Sequence, residues 1–471
     1  MENNQDLQRL DHILDQQKVA FNAKPYLSYQ ERISDLDTLK ALVLDNQTAL
    51  IEAMKEDFGH RSVDDSRIGD ILTTVAGIHY AKKQLKKWMK PQRRHVGILF
   101  QPASARVEYQ PLGVIGIMVP WNYPIFLALG PLTTALAAGN RAMVKMSEFT
   151  PKTTQVLAQL VGKYFSEDKV AIIDGDASVA AKFSSMNFDH LFFTGSTNVG
   201  KLVMRAAADN LVPVTLELGG KSPAIFGPDI SIKTAVSRLM LGKTLNSGQT
   251  CVAPDYIFVP RGKSKEVVNE LQRLFNKMFP NVDNNDDYTS IVNDGQFNRL
   301  QGLVDDAKQK GAVITELGKN SNCNKTRQMP LTALENVNDD MTVMQQEIFG
   351  PLLPIIEYDE VDDAIAYIQR NERPLALYIY SFDKSVQRHI LANTHSGGVC
   401  INEAAFHVAV EDLPFGGVGH SGMGNYHGVE GFKTFSHAKA ILSRGKISLT
   451  SLLFPPYGTS LHKMVYKLFI K

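Results

Sequence analysis

Three short stretches of this chain carry residue types that do chemistry together: Gly248–Gln249–Thr250–Cys251, Glu217–Leu218–Gly219–Gly220 and Phe349–Gly350–Pro351. Cys251 is a candidate nucleophile, because a thiolate is intrinsically strong in that role. Glu217 is a candidate base, and the two glycines after Leu218 let the backbone turn sharply and leave the carboxylate free to reach a cleft. Phe349–Gly350–Pro351 has the makings of a cofactor clamp. A single cysteine is usually a small buried hydrophobe. In this company Cys251 points to an enzyme and away from a binding module. Cys323 and Cys400, on a polar loop and a strand with no such neighbours, read as packing thiols.

These groups need a scaffold, and 471 residues are enough for two domains or more. A formal net charge of +1 leaves no domain-wide field for holding nucleic-acid phosphates, so small molecules are the expected partners. Three cysteines make no disulfide framework and suggest a reducing compartment, the cytoplasm. The polar N-terminus lacks the features of a secretory signal. No apolar run approaches the roughly 20 residues that cross a bilayer as a helix. Residues 460–471 repeat Leu461, Met464, Val465, Leu468 and Phe469 at helical spacing, which predicts a terminal helix docked on the body or on a partner subunit. Peripheral contact with a membrane surface is the other reading of that helix.

Apolar residues at three- and four-residue spacing predict helices over 7–24, 29–57 and 67–90, a region without a chemical motif. Strands are expected at 104–110 and 113–119. A strand and helix rhythm follows, with strands at 142–146, 170–174, 190–194 and 212–218 and helices at 124–138, 151–164, 178–185 and 199–208. Such alternation predicts a parallel, doubly wound sheet whose ligands sit beyond the carboxyl ends of the strands. A second series starts near Ser222, with helices at 232–245, 264–278 and 361–371 and strands at 256–259, 353–358 and 377–381. Residues 437–451 read as a strand leaving the body, with 104–110 as its neighbour; residues 281–287 and 319–327 read as polar loops. An exposed strand is a liability unless covered, which predicts a dimer through edge pairing.

Taken with Pro120–Trp121–Asn122–Tyr123–Pro124, Phe193–Thr194–Gly195–Ser196–Thr197 with Gly200, and Leu216–Glu217–Leu218–Gly219–Gly220–Lys221, these motifs resemble the NAD(P)-dependent aldehyde dehydrogenase superfamily from about residue 30 to about residue 440. The ending 413–428 resembles the class 3 branch, and Thr434–Phe435–Ser436–His437–Ala438–Lys439 with Pro455–Pro456–Tyr457–Gly458 resembles its coniferyl aldehyde dehydrogenase subgroup. The resemblance implies an α/β fold: a Rossmann-like NAD(P)-binding domain (1–100 and 111–217, with 404–432), an α/β catalytic domain (218–403) and a small β oligomerisation element (101–110 and 433–471). It implies that Cys251 adds to an aldehyde, that Asn122 and the Cys251 N–H donate to the oxyanion, and that Glu217 activates water to release a carboxylate. It assigns Ser196, in the Gly195–Ser196 turn that with Gly200 opens a helix, to the cofactor pyrophosphate. Lys145 and Glu148 are assigned to the adenosine ribose, Glu347 to the nicotinamide ribose with Phe349 beside it, and Leu218 to the cofactor wall. No metal is implied.

A carboxylate at Glu148 should accept a ribose 2′-hydroxyl and repel a 2′-phosphate, which favours NAD, with NADP possible because Lys145 softens that repulsion. Tyr123, Thr250, Val252, Phe406 and His407 are placed to wall the aldehyde channel. Coniferyl aldehyde in particular is what the subgroup resemblance implies, and aromatic walls suit a flat aryl or cinnamyl aldehyde. They equally accept a medium or long fatty chain. The presence of Glu217 argues against acyl transfer to coenzyme A, and the retention of Asn122, Glu217 and Cys251 together argues against a catalytically silent scaffold.

Overall fold

The computed structural model describes residues 2–283, 285–447, 450 and 454–470. The chain opens with helices Glu2–Ala23, Tyr29–Asp45 and Gln47–Phe58, then a π-helical turn, Arg67–Leu72, that runs into the helix Thr73–Trp88. The single helix expected over 29–57 is broken at Asn46. There the side-chain amide donates to Leu42 O (2.9 Å) and Tyr164 Oη (3.3 Å), the kind of local bond by which asparagine competes with the helical ladder.

Strands β1 (Gln92–Arg94) and β2 (Ser104–Pro111) form an antiparallel ribbon that leads into a parallel sheet. In that sheet β3 (Val114–Met118), β4 (Arg141–Lys145), β5 (Val170–Ile173), β6 (His190–Gly195) and β7 (Val214–Leu218) lie in the order β7-β6-β3-β4-β5. Every residue of β3 is buried, as expected of a strand covered on both faces. The helix after β3, Pro124–Ala138, starts on proline and stops at Gly139, which is left-handed at φ 94°; the buried Arg32 guanidinium donates to Ala137 O at its end.

A second sheet holds β8 (Pro223–Phe226), β9 (Tyr256–Pro260), β10 (Val313–Glu316), β11 (Thr332–Glu335), β12 (Leu352–Tyr358), β13 (Ala376–Tyr380) and β14 (Gly398–Ile401), in the order β10-β11-β12-β9-β8-β13-β14 and parallel except at β10–β11. Only Gly219–Gly220–Lys221–Ser222 separate β7 from β8, so Glu217 sits where the chain crosses from one sheet to the other. The expectations for this half omit β10, β11, β14 and the helix Asp294–Gln309. The short strand β15 (Gly422–Met423) closes the first sheet antiparallel to β7, with Gly422 opposite Glu217.

Strand β16 (Ser436–Ser443) pairs antiparallel with β2 from Ser436↔Pro111 to Ser443↔Ser104. The strand expected over 437–451 therefore ends at Ser443, and residues 448, 449 and 451 of that expectation lie outside the described residues. The terminal helix Ser460–Phe469 is capped by Thr459, buries His462 and leaves Met464 and Leu468 more than 60% exposed. Among the described residues no helix is long and apolar enough to cross a membrane.

Candidate active site

Cys251 follows a turn, Leu245–Gly248, in which Asn246 (φ 51°), Ser247 (φ 53°) and Gly248 (φ 73°) are successively left-handed. Each non-glycine residue so placed costs about 1–2 kcal/mol, and surrounding bonds must hold it there. Ser247 donates to Thr289 O, and the Gln249 side chain bridges Asn246 O (3.0 Å), Ser290 O (3.0 Å) and Val292 N (2.9 Å). A side chain at 248 would stand 2.5 Å from Gly350 O, so glycine lets the turn lie against the Phe349–Gly350 backbone.

Asn122, 2% exposed, is fixed at both ends. Its Nδ2 donates to Gln249 O (3.1 Å), and its main-chain oxygen accepts from Arg61 Nη1 (2.7 Å) and Asn246 Nδ2 (3.0 Å). A primary amide has two N–H donors, so one remains for an oxygen in the cavity. Glu217 is 3% exposed and its Oε1 has no partner; burial pushes its carboxyl well above the usual range. Burial, then the carboxylates of Glu347 and Glu217, push the Cys251 thiol up to about 12. Glu347 lies against Gly219, where an added Cβ would be 2.1 Å from its Oε2, and burial raises it to about 8.

The loop that carries Glu347 and Phe349 is anchored from below. Arg299 donates to Ile348 O (2.6 Å), Lys221 donates to Val343 O (2.8 Å) and Gln346 O (3.0 Å), and Asp255, paired with Lys221, accepts from Ile348 N (2.8 Å). Phe349, itself left-handed at φ 50°, meets the edge of Trp121 with ring centroids 5.2 Å apart.

These residues surround one cavity of about 770 Å³. It brings together Asn122, Tyr123, Gly195, Ser196, Glu217, Leu218, Thr250, Cys251, Val252, Glu347, Phe349 and Phe406. Tyr123 Oη and Thr250 Oγ1 are hydrogen-bonded at 2.9 Å. Four of the expected site residues do not line it. Lys145 turns its ammonium onto Met146 O (2.6 Å) and Gly175 O (2.7 Å), and Glu148 is exposed beyond β4. Gly200 serves packing, since a Cβ there would be 2.6 Å from Leu218 Cδ2. His407 turns inward toward Tyr378 and Phe415, because Phe406–Ala409 is a tight helical turn in which neighbours point about 120° apart.

The cavity also has walls with no sequence motif. Ile68, Gly69 and Thr73 come from the N-terminal helices, Gln296 and Arg299 from the helix Asp294–Gln309, and Leu241 and Gly242 from the helix Ile232–Thr244. The first region therefore does belong to the site. Glycine at 69 is required there, because a Cβ would lie 2.4 Å from the Tyr123 ring.

One arm of the cavity fits a dinucleotide. Ser196 caps the helix Thr197–Ala208, whose N-terminal amides suit a phosphate; the buried Thr194 hydroxyl has no partner; and Gly219, Glu347 and Phe349 leave a slot beside Trp121. Among the described residues no cluster of histidine, cysteine and carboxylate is placed to hold a metal ion.

Residues 3–441 match the model of the aldehyde dehydrogenase family. The chain is 52% identical over 467 residues to a probable coniferyl aldehyde dehydrogenase of Pseudomonas aeruginosa, covering 99% of this chain and 98% of that one. It superposes on the substrate-bound state of Staphylococcus aureus AldH with a TM-score of 0.92 at 35% identity, covering 98% and 99% of the two chains. It superposes on Mycobacterium tuberculosis aldehyde dehydrogenase complexed with NAD+ with a TM-score of 0.84 at 27% identity, covering 93% and 90%. The chain belongs to the aldehyde dehydrogenase family. It is an oxidoreductase that acts on aldehydes with a nicotinamide cofactor.

Proposed function

We propose that Cys251 attacks the aldehyde carbon, that Asn122 Nδ2 and the Cys251 N–H hold the resulting oxyanion, and that Glu217 activates the water that ends the cycle. The observation that carries this reading is the meeting of the three groups in one cavity, with Glu217 Oε1 buried and unpartnered. As the S–C bond forms, the thiol proton leaves through Glu217 or water and the carbonyl oxygen becomes an alkoxide; each donor aimed at it is worth about 2.7–4 kcal/mol of barrier. When bound, the nicotinamide supplies the acceptor for the hydride that leaves the thiohemiacetal carbon. The thioester left on Cys251 is then attacked by a water, one of whose protons goes to Glu217, and the adduct collapses to the Cys251 thiolate and a carboxylic acid, which gives its proton to solvent as the carboxylate product. A general base works best with a pKa near the working pH, and burial moves Glu217 toward it.

The cofactor is NAD, held by Ser196 at the pyrophosphate, Glu347 at the nicotinamide ribose, and Glu148 with Lys145 at the adenosine ribose. The substrate is an aryl or cinnamyl aldehyde of the coniferyl kind. The likeness to a probable coniferyl aldehyde dehydrogenase of Pseudomonas aeruginosa and the aromatic walls Tyr123, Phe126, Phe406 and Phe415 support this choice. A medium or long alkyl aldehyde is the second reading, supported by the aliphatic side chains of Ile68, Leu241 and Leu245 on the same cavity. The enzyme works in the cytoplasm as a homodimer through the outer edge of β16, to which no strand is paired among the described residues.

The test is NADH or NADPH formation against coniferyl aldehyde, benzaldehyde, hexanal and decanal, each with NAD and with NADP. Preference for decanal over both aryl aldehydes would replace the first substrate reading with the second. Cys251→Ala should bind dinucleotide but not turn over. Glu217→Gln should give a burst of NADH and then stall; normal steady turnover would mean that another group is the base.

A further inference from the structure

The segment 61–70 carries no motif, yet it touches both the Asn122 loop and the turn that presents Cys251. Arg61 and Asp70 are fully buried and paired, with Nη2 to Oδ2 at 2.8 Å. The other arm of the same guanidinium donates to the main-chain oxygen of Asn122 at 2.7 Å. Its carbon lies over the rings of Phe58 (4.7 Å) and Tyr123 (5.1 Å), so it is clamped from the sides as well.

Asp70 has a second task. Its Oδ1 accepts from the N–H groups of Ile125 and Phe126, both at 3.0 Å, at the start of the helix Pro124–Ala138. Tyr123, in the capping position of that helix, makes no side-chain cap. Asp70 therefore caps from outside the helix, and it does so from the π-helical turn Arg67–Leu72, a form that concentrates at functional sites. One carboxylate thus holds the helix that follows Asn122 and the guanidinium that holds Asn122 itself. From the same segment, Asp65 Oδ2 accepts from Asn246 N (3.1 Å), in the turn that presents Cys251.

We propose that the Arg61–Asp70 pair is a positioning device for the Asn122 amide: it sets where that donor points relative to Cys251, and so governs the chemical step and not aldehyde or cofactor binding. The proposal rests on the reading of Asn122 as the oxyanion donor. A planar guanidinium can reach Asn122 O and Asp70 together in fixed directions, whereas an ammonium cannot reproduce that fork. Arg61→Lys keeps the charge and loses the geometry.

A double-mutant cycle tests it, with Arg61→Lys made in the native chain and in Asn122→Ala. In the native chain Arg61→Lys should lower kcat by tenfold to about a hundredfold, the scale of misplacing a catalytic group by about 1 Å, with the KM for NAD unchanged. In the Asn122→Ala background the same substitution should change kcat by less than about threefold, because the group it positions is gone. Equal losses in both backgrounds would make the pair a purely structural one and overturn the proposal, as would an unchanged kcat in the native chain. A normal kcat in Asn122→Ala alone would overturn the oxyanion reading, and that single variant shows it separately. Arg61→Met with Asp70→Asn removes both charges while keeping an acceptor for the helix N–H groups. It serves as a second variant where Arg61→Lys folds poorly, with the same expected dependence on Asn122.

Discussion

Gly219→Ala is the sharpest test of the clamp on the cofactor side. The new methyl would stand 2.1 Å from Glu347 Oε2 and 2.4 Å from Oε1. An ordinary carbon–oxygen contact needs about 3.4 Å, so the carboxylate must retreat by roughly 1.3 Å. The carboxylate is the far end of a flexible side chain, so the fold can yield by moving it, and removing a glycine from the unfolded ensemble offsets part of the strain; stability should change by about 1 kcal/mol. Function should not be so tolerant. A displacement of about 1 Å in a positioning group costs about a hundredfold, which is about 2.7 kcal/mol in transition-state terms. The assay is steady-state kcat and KM for NAD, beside thermal midpoints with and without NAD. Glu347→Gln is the comparator, and in the double variant Gly219→Ala should add less than a factor of about two. A well-folded Gly219→Ala enzyme with native kcat and native KM for NAD would refute the reasoning, because it would mean that the position of Glu347 is immaterial.

With the Cys251 thiol pushed up to about 12, its alkylation by iodoacetamide in the cofactor-free protein should be slow at pH 7 and still climbing at pH 10. Added NAD should speed it at pH 8, since a cation near the sulfur favours thiolate; a plateau below pH 9 without NAD would contradict the burial argument. Tyr123→Phe removes the 2.9 Å bond to Thr250, worth about 1 kcal/mol, and should lower kcat/KM three- to tenfold in a folded enzyme, read from the aldehyde dependence. Burial depresses His427 to about 3 and His407 to about 4, so the unfolded chain takes up protons near pH 6.5 that the fold cannot. Stability from these groups is full above pH 6.5 and is lost as pH falls toward 4. His427→Asn, which tolerates the local φ of 82°, should flatten the fall in thermal midpoint between pH 7 and pH 5.

The sequence made legible what repeats locally. The run of β3, the proline start of the helix Pro124–Ala138 and the glycines around Glu217 each follow from neighbours in the chain, and the structure places them as expected. The pairing of β2 with β16 was legible too, since residues 104–110 read as the neighbour of the strand that leaves the body at 437. Illegible were residues whose roles exist only in three dimensions. Arg299 acts by donating to Ile348 O, 49 positions away, and Arg61 by donating to Asn122 O, 61 positions away; neither spacing has a period or a motif. His407 was misplaced for a simpler reason: adjacency to Phe406 says nothing about which face of a tight turn each residue takes.

The electrostatics of the site follow from its position at the crossing between two sheets. Glu217 is the residue before the last of β7, so its carboxyl emerges where two packed cores meet and water is scarce. An exposed glutamate, ionised far below neutral pH, accepts a proton from water only weakly. The same residue driven upward by burial is a stronger base. Burial acts in the opposite functional direction on Cys251, where it favours the thiol over the thiolate. Such a cavity strengthens its base while holding its nucleophile as the thiol, and a cation placed near the sulfur would favour the thiolate. That is the dependence the alkylation experiment reads, and it ties the order of reaction to the same scarcity of water that sets Glu217.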